Sequence, residues 1–242
     1  MLILEDLTFA HLVTSALSQQ QYMRFLITFL IIHTLLMALH TAALSVTGSL
    51  AGLVITDVGL FMGPTLFQIK IRGLNIKFNL LPLGSYVTFD DQKRSGKKRV
   101  EDLHPLIRAF VGGSGSIALV VAGFVCLGFS AGLHHLVSGF GQVVLGALRP
   151  FAKGAHLWSL LYQFMNTSPL FVTFGLIATK EAAFNLLPLP LFNGGDIIIN
   201  LISFVKRIPD SLIQKLNVVG FIPLIFIIVS WFVALCYFMS RP

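Results

Sequence analysis

Charge is what this chain has least of. Of its 242 residues, 11% are Asp, Glu, Lys or Arg, against about 25% in an ordinary soluble domain. With 55% hydrophobic residues and a mean hydropathy of +0.85, a water-soluble globule is excluded and a chain that crosses a bilayer several times is expected. There are two cysteines, Cys126 and Cys236. Both fall in apolar runs and there is no C-x-x-C, so they read as packed thiols rather than a disulfide. The start lacks the basic n-region and small-residue cleavage site of a signal peptide. Residues 1–21, with Glu5 and Asp6, read instead as a short interfacial helix or ordered arm. No internal repeat, low-complexity tract or sizeable soluble domain is visible. The net charge of +7 does not point to nucleic acid, because the basic residues cluster between apolar spans, where they set orientation.

Four runs are long and apolar enough to cross ~30 Å of hydrocarbon: about 22–46, 105–133, 157–184 and 218–239. The expected architecture is a mainly α membrane protein, a four-span helical bundle in one membrane-embedded domain over 1–242. Between the first two spans, 66–71 and 74–81 read as strands with an Arg72-Gly73 turn, giving a small β-hairpin or re-entrant element over 64–88. Residues 90–108 hold the one strongly charged tract. It reads as a solvated loop that sets topology, or as a contact for anionic headgroups or an acidic partner. Lys and Arg number nine in residues 70–108, three in 206–215 and two in 131–156. The two richer loops are therefore expected in the cytosol and both termini outside it.

Polar groups inside the spans are the candidates for function, because they are costly there. His33 and His40 are seven residues apart, roughly on one helix face. They suit either hydrogen-bonded helix contacts or a metal. Lys180 and Glu181 close the third span as an internal ion pair, a snorkelling pair or an anchor for a partner. Residues 184–196, FNLLPLPLFNGGD, follow. Pro188 and Pro190 stop a helix, Gly194 and Gly195 permit a turn or close backbone approach, and Asn185 and Asn193 set amides among hydrocarbon. Broken backbone at membrane depth is tolerated where it is buried in protein or lines a wet cavity, so this stretch marks an interior site.

The same stretch resembles the N-x-x-P-x-P-x-L-D-G-G signature of the site-2 protease family, the intramembrane zinc metalloproteases. Further matches are Gly59-Leu-Phe-Met-Gly63-Pro64, similar to a G-F-G-P turn, and Leu81-Pro82-Leu83-Gly84-Ser85-Tyr86-Val87, close to I-P-L-G-G-Y-V. The family also carries H-E-x-x-H in the first span, with a Gly eight residues after the second His. Gly48 stands eight residues after His40, which places that motif on Leu36-Met37-Ala38-Leu39-His40. The resemblance runs from about residue 22 to the end.

In the family the two His and an Asp bind zinc, and the Glu is general base on the metal-bound water. Here those positions are Leu36, His40, Asn193 and Met37. Leu and Met neither hold nor activate a zinc water, and a neutral amide is a poor zinc ligand beside a carboxylate. The resemblance therefore implies a catalytically degenerate member, with no zinc and no catalytic residue. The retained scaffold implies that it binds another transmembrane protein as a structural or regulatory subunit. Asn185, Pro188, Pro190, Gly194, Gly195, Gly84, Tyr86, Lys180 and Glu181 are the residues expected at that contact. Two alternatives stay open: a rearranged metal site drawing on His33, His40, Asn193 and Asp196, and a solute or ion conduit lined by Lys180, Glu181 and Asp196. The setting implied is a bacterial inner membrane.

Overall fold

One uninterrupted helix, α1 (Leu2–Leu50), carries the chain to the foot of a β-hairpin. The structure, a computed structural model, describes residues 2–71, 73–90, 96–206 and 208–241, with side chains described from Gln19 onward except at Asp210. Arg72 of the expected hairpin turn, residues 91–95 of the charged tract and Arg207 lie outside the described residues. The arm expected over 1–21 is not separate from the first span. No Gly or Pro occurs before Gly48, so nothing interrupts the helical hydrogen-bond ladder.

The hairpin is longer than its expected 64–88. Strands β1 (Ile55–Ile71) and β2 (Leu74–Phe89) pair antiparallel, with Ile71 opposite Leu74 and Ile69 opposite Ile76 at the tip, and Leu60 opposite Ser85 and Ile55 opposite Phe89 at the base. The register slips between Leu60 and Thr65. There Phe61 (φ 71°) and Gly63 (φ 84°) occupy the left-handed region, as does Gly84 (φ 71°) on the other strand. A second set of partners runs Asp57–Asn75, Val58–Ile76, Gly59–Lys77 and Leu60–Phe78. Both numbers rise together in this set, so these segments run in the same direction. The hairpin is thus folded over on itself, with residues 55–60 lying between 85–89 and 74–78. The fold-over is tied by Lys77 Nζ to Asp57 Oδ1 at 2.5 Å and by Asn75 Nδ2 donating to Asp57 Oδ1 at 3.2 Å. The Lys77 hydrogen bond holds the Asp57 carboxyl below the usual carboxylate range. Residues 65–71 form an outer strand, and residues 62–71 are all exposed.

The helices that follow are α2 (Pro105–Leu127), α3 (Phe129–Leu148), α4 (Ala155–Thr167), α5 (Leu170–Asn185), α6 (Asn193–Val205) and α7 (Asp210–Met239). Among the described residues four helices are long and apolar enough to cross a membrane: Gln19–Leu50, Pro105–Leu127, Phe129–Leu148 and Ser211–Met239. Two differ from expectation. The second span ends at Leu127, because Gly128 (φ 79°) turns the chain, and the expected connection 131–156 becomes mostly α3. The third expected span, 157–184, is divided before Pro169, which lacks an N–H and biases Ser168 to extended backbone.

What runs beside α2 is the broken pair α5–α6. Gly175 of α5 packs on Cys126 at one end of α2, and Ile197 of α6 packs on Gly113 nearer the other. At that far end the rings of His104 and Phe204 lie 5.5 Å apart. The pair therefore runs the length of α2, whose 23 residues span about 34 Å at 1.5 Å per residue. Helix α2 sits at the centre, packed against α1, α3, α5 and α6. Its small residues let the neighbours approach: Gly113, Ser114, Gly115, Ser116 and Gly123 are all buried. A core of Ile32, Leu36, Leu119, Ile177, Ala178 and Ala182 joins α1, α2 and α5. At one end of the bundle Tyr22, Phe25, Trp158, Tyr162 and Phe238 gather edge to face.

Candidate functional site

The chain breaks at residues 186–192 because the sequence leaves it no helical option. Pro188 and Pro190 remove two N–H donors. Leu191 takes a positive φ of 70°, and α6 then starts at Asn193. The loop folds back onto the first turn of α6. A Cβ on Gly194 would lie 2.2 Å from the Leu186 carbonyl oxygen, and one on Gly195 would lie 2.0 Å from that of Leu189. Helix α7 clamps the loop from outside, where a Cβ on Gly220 would lie 2.7 Å from Pro190 Cβ. Each glycine is needed because backbone, not a yielding side chain, occupies the space.

This packing aims Asn193 at α1 and α2. Its Nδ2 donates to His40 Nε2 and to Ser116 Oγ, each at 2.9 Å. An amide nitrogen carries hydrogens and no lone pair for acceptance, so His40 Nε2 must accept, and the imidazole proton sits on Nδ1. That nitrogen faces Ser85 Oγ of β2 at 3.4 Å, a long contact. His40 is itself pressed on α2, where a Cβ on Gly115 would lie 2.4 Å from the ring. One imidazole thus binds together α1, α2, α6 and the hairpin. Beside it Leu36 is 0% exposed and Met37 3%, so the turn preceding His40 is filled by hydrocarbon.

The donors that meet here are one imidazole, one amide and two hydroxyls. A catalytic zinc has three protein ligands and an open water position. His40 and Asn193 already satisfy each other, and the other two positions in reach are Leu36 and Met37. This donor set does not match a zinc site. Among the described residues no group of three or more His, Cys, Asp or Glu comes together.

His33 is engaged elsewhere. Its Nδ1 lies 2.7 Å from Glu181 Oε1 on α5, and its Nε2 lies 3.1 Å from the Pro82 carbonyl oxygen on β2. Phe29 and Phe61 both lie parallel to its ring, with interplanar angles of 6° and 2°. Lys180 points to α3, donating to His135 O at 2.7 Å and Ser138 Oγ at 2.9 Å. Asp196 is exposed. So His40 and Asn193 are brought together, whereas His33 pairs with Glu181 and Lys180 with α3.

The residues expected at a partner contact fall in two groups. Gly194 and Gly195 are buried under the loop, and Asn185 donates to the Glu181 carbonyl one turn back, at 3.0 Å. Pro188 is exposed, while Pro190, Gly84 and Tyr86 are half-buried. Tyr86 covers Gly59. Sequence reasoning missed Ser116 and Ser85 as members of the polar network. Their signal is faint: a serine in a glycine-rich helical run and one in a strand pattern both have ordinary structural explanations.

The chain belongs to Peptidase family M50, whose model matches residues 28–229. This is the site-2 protease family. The matched stretch takes in the last half of α1, the hairpin, the broken pair α5–α6 and most of α7. No curated protein sequence matches the chain.

Proposed function

We propose that this protein is a catalytically inactive member of its family that binds a transmembrane partner, as a structural or regulatory subunit of a membrane complex. The observation that carries this is the state of the metal-binding positions. Leu36 and Met37 are packed dry, and the amide of Asn193 is hydrogen-bonded to the one imidazole left, His40. No group at this point can activate a water for peptide hydrolysis, and we infer that the protein carries no zinc. What is retained is a scaffold with an outer strand, residues 65–71, whose unpaired edge suits pairing with an extended segment of a partner through backbone hydrogen bonds. The test is capture of the full chain from its native membrane. A transmembrane protein in stoichiometric amount is expected, and it should be lost when Gln68→Pro removes an edge donor. Recovery of the chain alone from gently solubilised membrane contradicts the reading.

We further propose that the protein lies in a bacterial inner membrane with the loop before α2 in the cytosol and both chain ends outside. Two features support this orientation. Lys97, Lys98, Arg99 and Arg108 gather before and at the start of α2. The Tyr and Trp residues of the aromatic cluster lie at the opposite end of the bundle, as interfacial residues do. A cysteine at Lys97 is expected to react with an impermeant reagent after the cytosolic side is opened, and one at Ser168, between α4 and α5, in intact cells. The reverse labelling pattern refutes the orientation.

A further inference from the structure

The hairpin is attached to the bundle very differently along its length. At its base Phe89 packs against Gly48 and joins Leu53, Leu103 and Val111 in a core cluster, and Asp90 N donates to Val54 O at 2.8 Å. Farther out the polar contacts are few. Ser85 Oγ reaches Met37 O at 3.5 Å and His40 Nδ1 at 3.4 Å, both at the limit of a hydrogen bond. The short contact is that of His33, whose Nε2–H donates to the Pro82 carbonyl at 3.1 Å and whose Nδ1 lies 2.7 Å from Glu181 Oε1.

From this we propose that His33 and Glu181 form a clasp that fastens the folded-over hairpin to the bundle, and that releasing it lets the hairpin swing on its base away from α1. Three observations support a releasable clasp over a purely structural pair. Glu181 Oε2 is buried and has no hydrogen-bond partner, whereas a buried pair selected for stability alone satisfies its oxygens. Phe61, the hairpin residue stacked on His33, holds a φ of 71° that a bulky side chain rarely adopts. Strain of that kind persists where surrounding contacts enforce it; here Asn79 Nδ2 donates to the Phe61 carbonyl at 2.9 Å within the hairpin, and the stack on His33 holds the ring against the bundle. Lastly, Phe61, Gly63 and Gly84 bring three positive φ values to the segment next to Pro82, so the clasped part is the bent part of the hairpin. What a lifted hairpin would admit, a partner segment alongside α1 and α5, rests on the function proposed above. The clasp itself does not, and it is tested without a partner.

The experiment is amide hydrogen exchange on the purified full chain in a lipid nanodisc, comparing the unaltered protein with His33→Phe, Glu181→Leu and His33→Gln. His33→Phe keeps an aromatic ring beside Phe29 and Phe61 and removes both polar contacts. His33→Gln keeps a donor and an acceptor on a side chain of similar reach. Exchange across residues 60–66 and 81–86 is expected to rise at least ten-fold in His33→Phe and in Glu181→Leu. The base, 55–58 and 87–89, and the centre of α2, 113–123, should keep their rates, and His33→Gln should recover much of the protection. Unchanged exchange in the hairpin overturns the clasp. So does an equal rise in α2, which would make the pair an ordinary contributor to overall stability.

Discussion

Gly195→Ala is expected to cost at least about 3 kcal/mol, on the order of a 10 °C fall in thermal midpoint for a chain of this size. The added methyl would lie 2.0 Å from the Leu189 carbonyl oxygen and 3.0 Å from Pro190 N. Neither atom can rotate away, because Pro190 is held by α7 at Gly220. The loop must therefore lift off α6, and Asn193, two residues earlier in the same turn, is carried off His40. Gly141→Ala is the control. It also sits in a helix, and nothing lies within 4 Å of its added methyl, so its effect should be neutral or slightly stabilising from helix propensity alone. Thermal unfolding of both variants in one detergent checks this. A loss in Gly195→Ala no larger than that in Gly141→Ala would mean that the loop is not packed as described.

Much of this arrangement could be read from residue order, because its causes are local. Two prolines and two glycines within eight positions require a broken backbone whatever surrounds them, and the apolar run 22–46 is long enough to read as a membrane-crossing helix, although its continuity with the residues before 22 is not part of that reading. The spacing of His40 and Gly48 singled out the helical turn in which His40 meets Asn193. Other parts were not legible because their causes are distant in sequence. The interruption of 157–184 at Asn166-Thr-Ser-Pro169 is visible in the sequence, but that it divides the span into two helices is not, because hydropathy averages over one proline. The fold-over of the hairpin depends on which halves of the two strands meet, and no periodicity reports that. Ser116 and Ser85 enter the network because α2 and β2 approach His40 from opposite sides. His33 shares a helix face with His40 by spacing. Its partner is nonetheless set by α5, which brings Glu181 to it from 148 residues away.

The combined substitution Leu36→His, Met37→Glu and Asn193→Asp is expected to make stability depend on zinc. Positions 36 and 40 are one helical turn apart on one face, and the side chain at 193 reaches His40 Nε2 at 2.9 Å. The three changes would supply two imidazoles, a carboxylate and a general base at one point. Without metal, they put a carboxylate at position 37, which is 3% exposed, and another against an imidazole that now has no amide donor. Burying such groups without partners costs several kcal/mol, so the metal-free variant should be markedly less stable than the unaltered chain. Zinc at 100 times its dissociation constant would return about 2.7 kcal/mol. Thermal midpoints with and without added zinc measure both effects, and His40→Ala in the same background should abolish the response. A variant indifferent to zinc would show that these positions do not converge as the family site does.

The central claim is that the unaltered chain has exchanged a metal centre for a hydrogen bond between His40 and Asn193. Metal analysis of the full chain, purified from its membrane without any chelator, tests it most directly. Well under one zinc per chain is the predicted result, with no change on His40→Ala. Stoichiometric zinc that disappears on His40→Ala would contradict the account and make the protein a metalloenzyme with an altered ligand set.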